Sequence, residues 1–329
     1  MKPFGIWWLA MIGDKAVDLI DFLCDDSRDV ALRVEEMARI SEREISSGFL
    51  AEVASVLLSR AVPLPKLEAI DVCGTGGDAA AFKTFNVSTA SAFVLAACGV
   101  PVAKHGNRAI SSQCGSSDVL AVLGIKVVAD AREAEDQFNK HRLVFLHAPC
   151  FHPVLAQIAP IRKAFGKPTF FNLLGPLLNP AKVERQLIGV YDEKYTSIVA
   201  EAAALLGKKK IWVVHSKDGL DEVSLCAPTI VFEMDNGKTT RFEITPEDCG
   251  LRRAYPTDIA GGDADNNVAI IEDILKGSEG ARADLVVLNV AAGLIVAEKA
   301  ADLNRGVMMT REVLKSGAAH RKLEEMRGK

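Results

Sequence analysis

The sequence is poor in the features that mark a membrane protein, a metal cluster or a nucleic-acid wrap. Its N-terminal apolar run, residues 4–12 behind Lys2, is too short to span a bilayer and meets Asp14 and Lys15 with no small-residue cleavage site. The expectation is neither an anchor nor a secretion signal but a first helix whose Trp7, Trp8, Leu9 and Ile12 are covered by the fold or by a second subunit. Positive charge is not in excess: Lys and Arg number 39 against 43 Asp and Glu, a net of −4, so no global field favours nucleic acid by counterion release. Any anion must be held locally. The seven cysteines (Cys24, Cys73, Cys98, Cys114, Cys150, Cys226, Cys249) are odd in number, scattered, and never paired at metal-ligand spacing. They read as reduced thiols of a cytoplasmic protein. His147 and His152 are neighbours, yet no His-Glu-x-x-His pattern or Cys/His cluster accompanies them, so no zinc centre is expected. Repeats and low-complexity segments are absent.

What is present is a 329-residue chain, roughly twice a typical single-core domain, with enough apolar residues for a sizeable core. Between Lys15 and Arg60 apolar residues recur every three or four positions (Val17, Ile20, Leu23, then Val30, Val34, Met37, Ile40), which predicts helices. Ser41 with Glu44 reads as a capping box for a helix that ends near Arg60, and Pro63 and Pro65 stop it. Beyond that point strands and helices alternate: a strand at 69–73, a helix at 90–98, a strand at 100–103 and a helix at 119–123. Further strands are expected at 126–129, 143–146, 186–191, 210–215 and 285–288. A hairpin is expected around Asn236-Gly237, from 230–234 to 240–244. The fold class is therefore α/β, a small helical N-terminal domain plus a large α/β domain with a mainly parallel central sheet. We expect the helical domain at 1–66, completed by 150–180 where prolines and the Gly175-Pro176 turn interrupt the alternation, and the large domain at 67–149 and 181–329. Such a crossing leaves a cleft at the strand ends.

Several segments carry chemistry. Gly74, Thr75, Gly76, Gly77 and Asp78 follow a strand directly, so backbone N–H groups can converge on a phosphate; a plain tight turn is the alternative. Thr84, Asn86, Ser88 and Thr89 precede an apolar helix, where the helix dipole favours an anion, although Ser88 or Thr89 can also simply cap it. Lys104 to Arg108 read Lys-His-Gly-Asn-Arg at a strand end, either a point charge for pyrophosphate or a solvated basic loop. Asp221 and Glu222 are adjacent hard-oxygen ligands in a loop after a strand, the donor type that Mg²⁺ takes, but surface acid pairs are common. Arg162 in the crossing segment can grip a carboxylate bidentately or form a structural ion pair.

Taken in order, Gly-Thr-Gly-Gly-Asp at 74–78, Asn-Val-Ser-Thr at 86–89, Lys-His-Gly-Asn-Arg at 104–108, Gly-Ser-Ser-Asp at 115–118, Arg-Lys at 162–163, Asn-Leu-Leu-Gly-Pro-Leu-Leu-Asn-Pro at 172–180 and Asp-Glu-Val at 221–223 resemble the anthranilate phosphoribosyltransferases. The resemblance runs from about residue 69 to the C-terminus. It implies the nucleoside-phosphorylase type of fold, a homodimer formed through the helical domain, and transfer of the phosphoribosyl group of phosphoribosyl pyrophosphate (PRPP) to anthranilate in tryptophan biosynthesis. By that resemblance Gly74, Gly77, Asp78, Thr84, Asn86, Val87, Ser88, Thr89, Lys104, His105, Gly106, Asn107, Arg108, Ser112 and Ser116 contact PRPP. Gly74, His105, Asn107, His152, Arg162 and Gly175 line the anthranilate channel, Arg162 meeting its carboxylate. Two Mg²⁺ ions are implied, with Asp221, Glu222 and Ser88 as ligands, and Lys104, Asp221 and Glu222 as the residues that neutralise the leaving pyrophosphate. The chain departs from the family pattern at 79–83, which is longer and lacks a glycine after Asp78, and in its N-terminal helices. The alternatives are a pyrimidine nucleoside phosphorylase, disfavoured by Lys104–Arg108 and the acid pair, and a non-catalytic nucleic-acid-binding relative, disfavoured by the acidic balance.

Overall fold

The computed structural model describes residues 5–76, 83–107 and 115–328, with only the backbone described for 5–14. Gly77, Asp78, Arg108 and Ser112, the 79–82 insertion and the side chains of Trp7, Trp8, Leu9 and Ile12 lie outside the described residues. Three helices come first, as the periodicity predicts: α1 (Gly5–Cys24), α2 (Val30–Ser41) and α3 (Ser47–Ser59). The expected Ser41 cap is not the one used. The apolar period of α2 carries through to Ser41, and Ser46 instead accepts the Phe49 N–H at 3.2 Å to start α3.

The sheet orders its strands β3-β2-β1-β4-β5-β6-β7, where β1 is Ile70–Gly74, β2 Val102–Gly106, β3 Leu143–His147, β4 Arg185–Gly189, β5 Lys210–Ser216, β6 Thr229–Asp235 and β7 Lys238–Ile244. The first five are parallel; β6 and β7 form the antiparallel hairpin predicted around Asn236-Gly237, with Asn236 and Gly237 both at positive φ. Successive strands move outward from β1 to β3, then β4 returns to the other side of β1. The order therefore reverses between β1 and β4, the place where an open parallel sheet leaves a crevice beyond its carboxyl ends.

Connecting β1 to β2 is α4 (Val87–Ala97); α5 (Ser116–Val122) and α6 (Ala131–His141) precede β3. The expected strand at 126–129 reduces to a single bridge from Val128 to Leu146. After β3 the chain leaves the sheet through α7 (Ala148–Phe151), α8 (Pro153–Phe165), α9 (Phe170–Leu174) and a 3₁₀ turn at Gly175–Leu178. This crossing segment packs against the N-terminal helices. Ile158, Ile161, Phe170, Leu173 and Leu177 share one apolar cluster with Ile20, Leu23, Met37, Leu50 and Val53, closed against Ile188, Ile211 and Val213 of the sheet and α10 (Tyr195–Leu205).

The opposite face is covered by α4, α11 (Ala264–Leu275), α12 (Ala281–Val296), α13 (Leu303–Lys315) and α14 (Ala318–Arg327). Residues 285–288, expected as a strand, lie inside α12. That helix is buried on nearly every side, so its apolar run lacks the one-sided period that identifies a surface helix. Among the described residues no helix is long and apolar enough to cross a membrane.

Candidate active site

Strand alternation distributes the site over two faces of the sheet. Lys104 and His105 are adjacent on β2 and therefore point to opposite sides. Lys104, 3% exposed, turns toward α4, where its ammonium donates to the Val72 carbonyl at 2.6 Å and to the Ser88 hydroxyl at 3.1 Å. It is not part of a solvated loop. His105 turns to the crossing segment, its ring 5.5 Å from that of His152.

On the α4 side the helix begins earlier than its apolar run suggested. Asn86 is the N-cap residue and makes no side-chain cap; its Oδ1 instead accepts from Asn267 of α11 at 3.1 Å. Ser88 and Thr89 thus sit in the first helical turn rather than capping it. Val87 buries its side chain and donates its N–H to Phe85, and Thr89 is fully buried. Thr84 bridges to Ala260. At the end of β2, Gly106 lies so close to Ser116 that a Cβ would fall 2.3 Å from its hydroxyl, which in turn donates to the Asn107 carbonyl at 3.1 Å. Ser116, Gly106 and Asn107 are therefore brought together.

The acid pair meets the glycine turn at the switch point. Gly74 and Gly189 are register partners on β1 and β4. A Cβ on Gly74 would lie 2.2 Å from Asp221 Oδ2, and one on Gly189 would lie 1.6 Å from the Asp221 carbonyl oxygen. Two facing glycines are what let the 217–228 loop drop onto the strand ends. Asp221 Oδ2 then accepts the Gly76 N–H at 2.8 Å, while Thr75 donates its N–H to Gly189 and accepts from Tyr191. Glu222 and Ser88 line one small cavity of about 10 Å³ beside them, together with Ser91 and Asn289.

This donor set can be tested against a divalent cation. Among the described residues no cluster of three His, Cys, Asp or Glu side chains forms a closed cage. Two adjacent carboxylates and a hydroxyl are instead the partial set that suits Mg²⁺, an ion that keeps waters and completes its shell with substrate phosphates. The residues fit, with one condition: the Lys104 ammonium on Ser88 demands anionic oxygens between it and any cation there.

Across the sheet, Asp71 of β1 is fully buried and organises the second face. Its carboxylate accepts from the His105 N–H at 3.2 Å, from Asn179 at 2.9 Å and from Gln186 at 3.3 Å; Asn179 also donates to Ala103, and Gln186 to Pro176. Burial raises the Asp71 carboxyl, with Lys104 opposing. The His105 ring bonds the Gly175 backbone, and burial pushes its imidazole down to about 3. His152, 1% exposed, hydrogen-bonds the Leu178 carbonyl at 2.7 Å, and burial lowers it too. His105, His152 and Gly175 are thus brought together. Both rings stay neutral in the folded chain at pH values where the unfolded chain protonates them. Their contribution to stability is complete above about pH 6.5 and is lost as pH falls toward the folded values. Melting temperatures measured from pH 7.5 to 5 should therefore fall, and fall less in His105→Gln; an equal fall would contradict this.

Arg162 stands one element away on α8. Its guanidinium lies 5.6 Å from the Phe171 ring and reaches Asn172 Oδ1 at 3.4 Å, and it has no carboxylate partner among the described residues. Burial lowers its affinity for its proton. Sequence reasoning missed Asp71, Asn179, Gly189 and Asn289. A glycine closing an apolar strand and one amide inside an apolar helix were the available signals for the last two.

Comparison with known proteins follows the same outline. The model of the glycosyl transferase family, a/b domain, matches residues 66–320. Anthranilate phosphoribosyltransferase from Desulfatibacillum aliphaticivorans is 42% identical over 315 residues, covering 95% of this chain and 93% of that protein. The enzyme of that name from Desulfosudis oleivorans is 46% identical over 258 residues, 78% of this chain and 76% of that protein. The crystal structure of anthranilate phosphoribosyltransferase from Thermus thermophilus superposes with a TM-score of 0.88 at 36% identity, covering 96% of this chain and 94% of that one. The Saccharomyces cerevisiae enzyme in complex with PRPP and Mg gives a TM-score of 0.84 at 29% identity, covering 96% and 91%.

Proposed function

The chain belongs to the anthranilate phosphoribosyltransferases of the glycosyl transferase family, and from that premise we propose that it transfers the phosphoribosyl group of PRPP to anthranilate, releasing pyrophosphate, as a step of tryptophan biosynthesis. The observation that carries the reading is the junction at the switch point, where the Asp221 carboxylate is tied to the glycine turn and the Lys104–Ser88 pair stands on the adjoining strand and helix. Pyrophosphate is the group such an arrangement suits. The first turn of α4 presents the Ser88 hydroxyl at a helix N-terminus, and Lys104 beside it supplies a point charge. Asp221 and Glu222 would hold Mg²⁺, which supplies charge neutralisation of the leaving pyrophosphate, and Ser88 a second ion. Gly74, Asn86, Val87, Thr89, Gly106, Asn107 and Ser116 complete the PRPP side of this reading, with Thr84, Gly77, Asp78, Arg108 and Ser112 assigned to it by the family resemblance.

On the other face His105, His152, Asn107, Gly74 and Gly175 would line the acceptor channel and Arg162 would meet the carboxylate of the aromatic acid. The guanidinium's lack of a carboxylate partner among the described residues supports that role. As positive charge develops at the ribose anomeric carbon, the aromatic amine attacks from the side opposite the departing pyrophosphate. The residues contribute mainly by positioning and by leaving-group stabilisation. Two lobes are part of the proposal, 1–66 with 150–180 and 67–149 with 181–329, supported by the apolar cluster that residues 158–178 share with the N-terminal helices. A homodimer through that lobe is supported by the exposed Val17, Val30 and Leu32 of α1 and α2, and a cytoplasmic setting by six unpaired cysteines among the described residues.

The test is pyrophosphate release from PRPP and anthranilate with Mg²⁺ present. Arg162→Ala should raise the KM for anthranilate about 10- to 100-fold, the loss of one charge-assisted contact of roughly 1.5–3 kcal/mol, and leave the KM for PRPP near its parent value. Equal changes in both constants would remove Arg162 from the acceptor side.

A further inference from the structure

The Asp221 carboxylate meets the Gly76 N–H, and the backbone of the acid loop is held separately. The 217–228 loop is a long connection between β5 and β6, and its shape comes from buried polar contacts. Ser224 donates its hydroxyl to Asp218 at 2.5 Å and its N–H to Thr229 at 3.0 Å, which closes the loop on itself. Only one side chain from another element bonds the backbone directly after Glu222 among the described contacts, and it is Asn289, in the middle of α12 and 1% exposed. Its Oδ1 accepts the Val223 N–H at 3.0 Å, and its Nδ2 donates to the Val223 carbonyl at 2.8 Å and to the Leu285 carbonyl of its own helix at 2.9 Å. Both backbone polar groups of Val223 are thus held by one planar amide, a geometry that fixes orientation as well as distance.

We infer that Asn289 is a positioning residue for the divalent cation, setting the Asp221–Glu222 carboxylates against Ser88 through its two-point grip on Val223. This rests on the proposed Mg²⁺ role of the pair. Glycines 74 and 189 give Asp221 room from the sheet side, and Asn289 holds the loop from the helix side, where Glu222, Ser88 and Asn289 line the same small cavity. Supporting partners of this kind tune metal affinity about 10- to 100-fold when removed. Among the described residues the Asn289 amide hydrogen-bonds Val223 and Leu285, away from His105, His152 and Arg162, so the effect should be confined to the cation.

The experiment measures Mn²⁺ binding, by water-proton relaxation in the presence of PRPP, to the full chain and to Asn289→Ala and Asn289→Asp. Steady-state rates are followed in parallel over a range of Mg²⁺. The alanine variant should bind Mn²⁺ about 10- to 100-fold more weakly, regain activity at raised Mg²⁺, and keep its KM for anthranilate. The aspartate variant keeps the acceptor for the Val223 N–H but sets a carboxylate oxygen against the Val223 and Leu285 carbonyls, so it should bind Mn²⁺ no more tightly than the alanine variant. A folded alanine variant with parental Mn²⁺ affinity overturns the inference. So does loss of folding in both variants, which would make Asn289 purely structural. If the parent chain itself binds no Mn²⁺ with PRPP, the failure lies with the proposed function instead.

Discussion

Replacing Asp221 and Glu222 together by alanine is expected to lower kcat by on the order of a thousandfold or more, because it removes the carboxylates that place a cation on the leaving pyrophosphate. The magnitude follows from the charge that develops as the bond to pyrophosphate breaks; removing one preorganised stabilising group already costs about 10²–10³ in rate. Asp221 also accepts the Gly76 N–H, so its loss frees the glycine turn as well. Glu222→Gln separates the two effects, since it keeps the side-chain shape and removes only the charge. Rates measured across a Mg²⁺ titration should show loss of metal dependence in the double variant. Unchanged metal-dependent turnover would contradict the assignment.

Gly189→Ala should be nearly as damaging, although residue 189 has no side chain to take part in any reaction. Its Cβ would stand 1.6 Å from the Asp221 carbonyl oxygen and 2.4 Å from the carbonyl carbon, both backbone atoms that no rotamer change can move. The acid loop would have to rise by about an ångström or more, and a displacement of that size commonly costs about a hundredfold in rate. Gly48→Ala is the control: that glycine lies in α3 with open space where a Cβ would stand, and its substitution should leave kcat unchanged. The two variants are compared by kcat and by circular dichroism. A fully active Gly189→Ala protein would mean that the close packing of Asp221 on the strand ends is irrelevant to turnover.

The fold was legible wherever a local pattern has one interpretation. The three-and-four spacing of Val30, Val34 and Met37, the apolar strand leading into Gly74, and Asn236-Gly237 between two alternating runs each encode their structure within a few residues. Residues 285–288 were not legible, because a helix buried on all sides loses the period that distinguishes it from a buried strand. The start of α3 was misplaced because Ser41 and Ser46 both precede apolar residues, and tertiary packing of α2 decides between them.

The candidate site divides in the same way. Gly74, Ser88, Lys104 and Asp221 lie in motifs that can be read as chemistry, and the fold brings Gly74 to Asp221 and Lys104 to Ser88. Asp71 carries no such signal, Asn179 lies in the 172–180 motif without a role of its own, and Asn289 shows only as an amide within an apolar run. Their bonds join residues far apart in sequence, and only the strand order brings Asp71 to Asn179 or Val223 to α12. Alternation along β2 also explains what a linear motif hides, that Lys104 and His105 serve opposite faces of one strand.

The most direct measurement is the crystal structure of this chain with PRPP, Mg²⁺ and anthranilate bound together. Pyrophosphate oxygens are expected beside Lys104 and the Asp221–Glu222 loop, with the anthranilate carboxylate on Arg162 across the end of β2. Pyrophosphate held away from that junction, or an acceptor ring outside reach of Arg162, would contradict it.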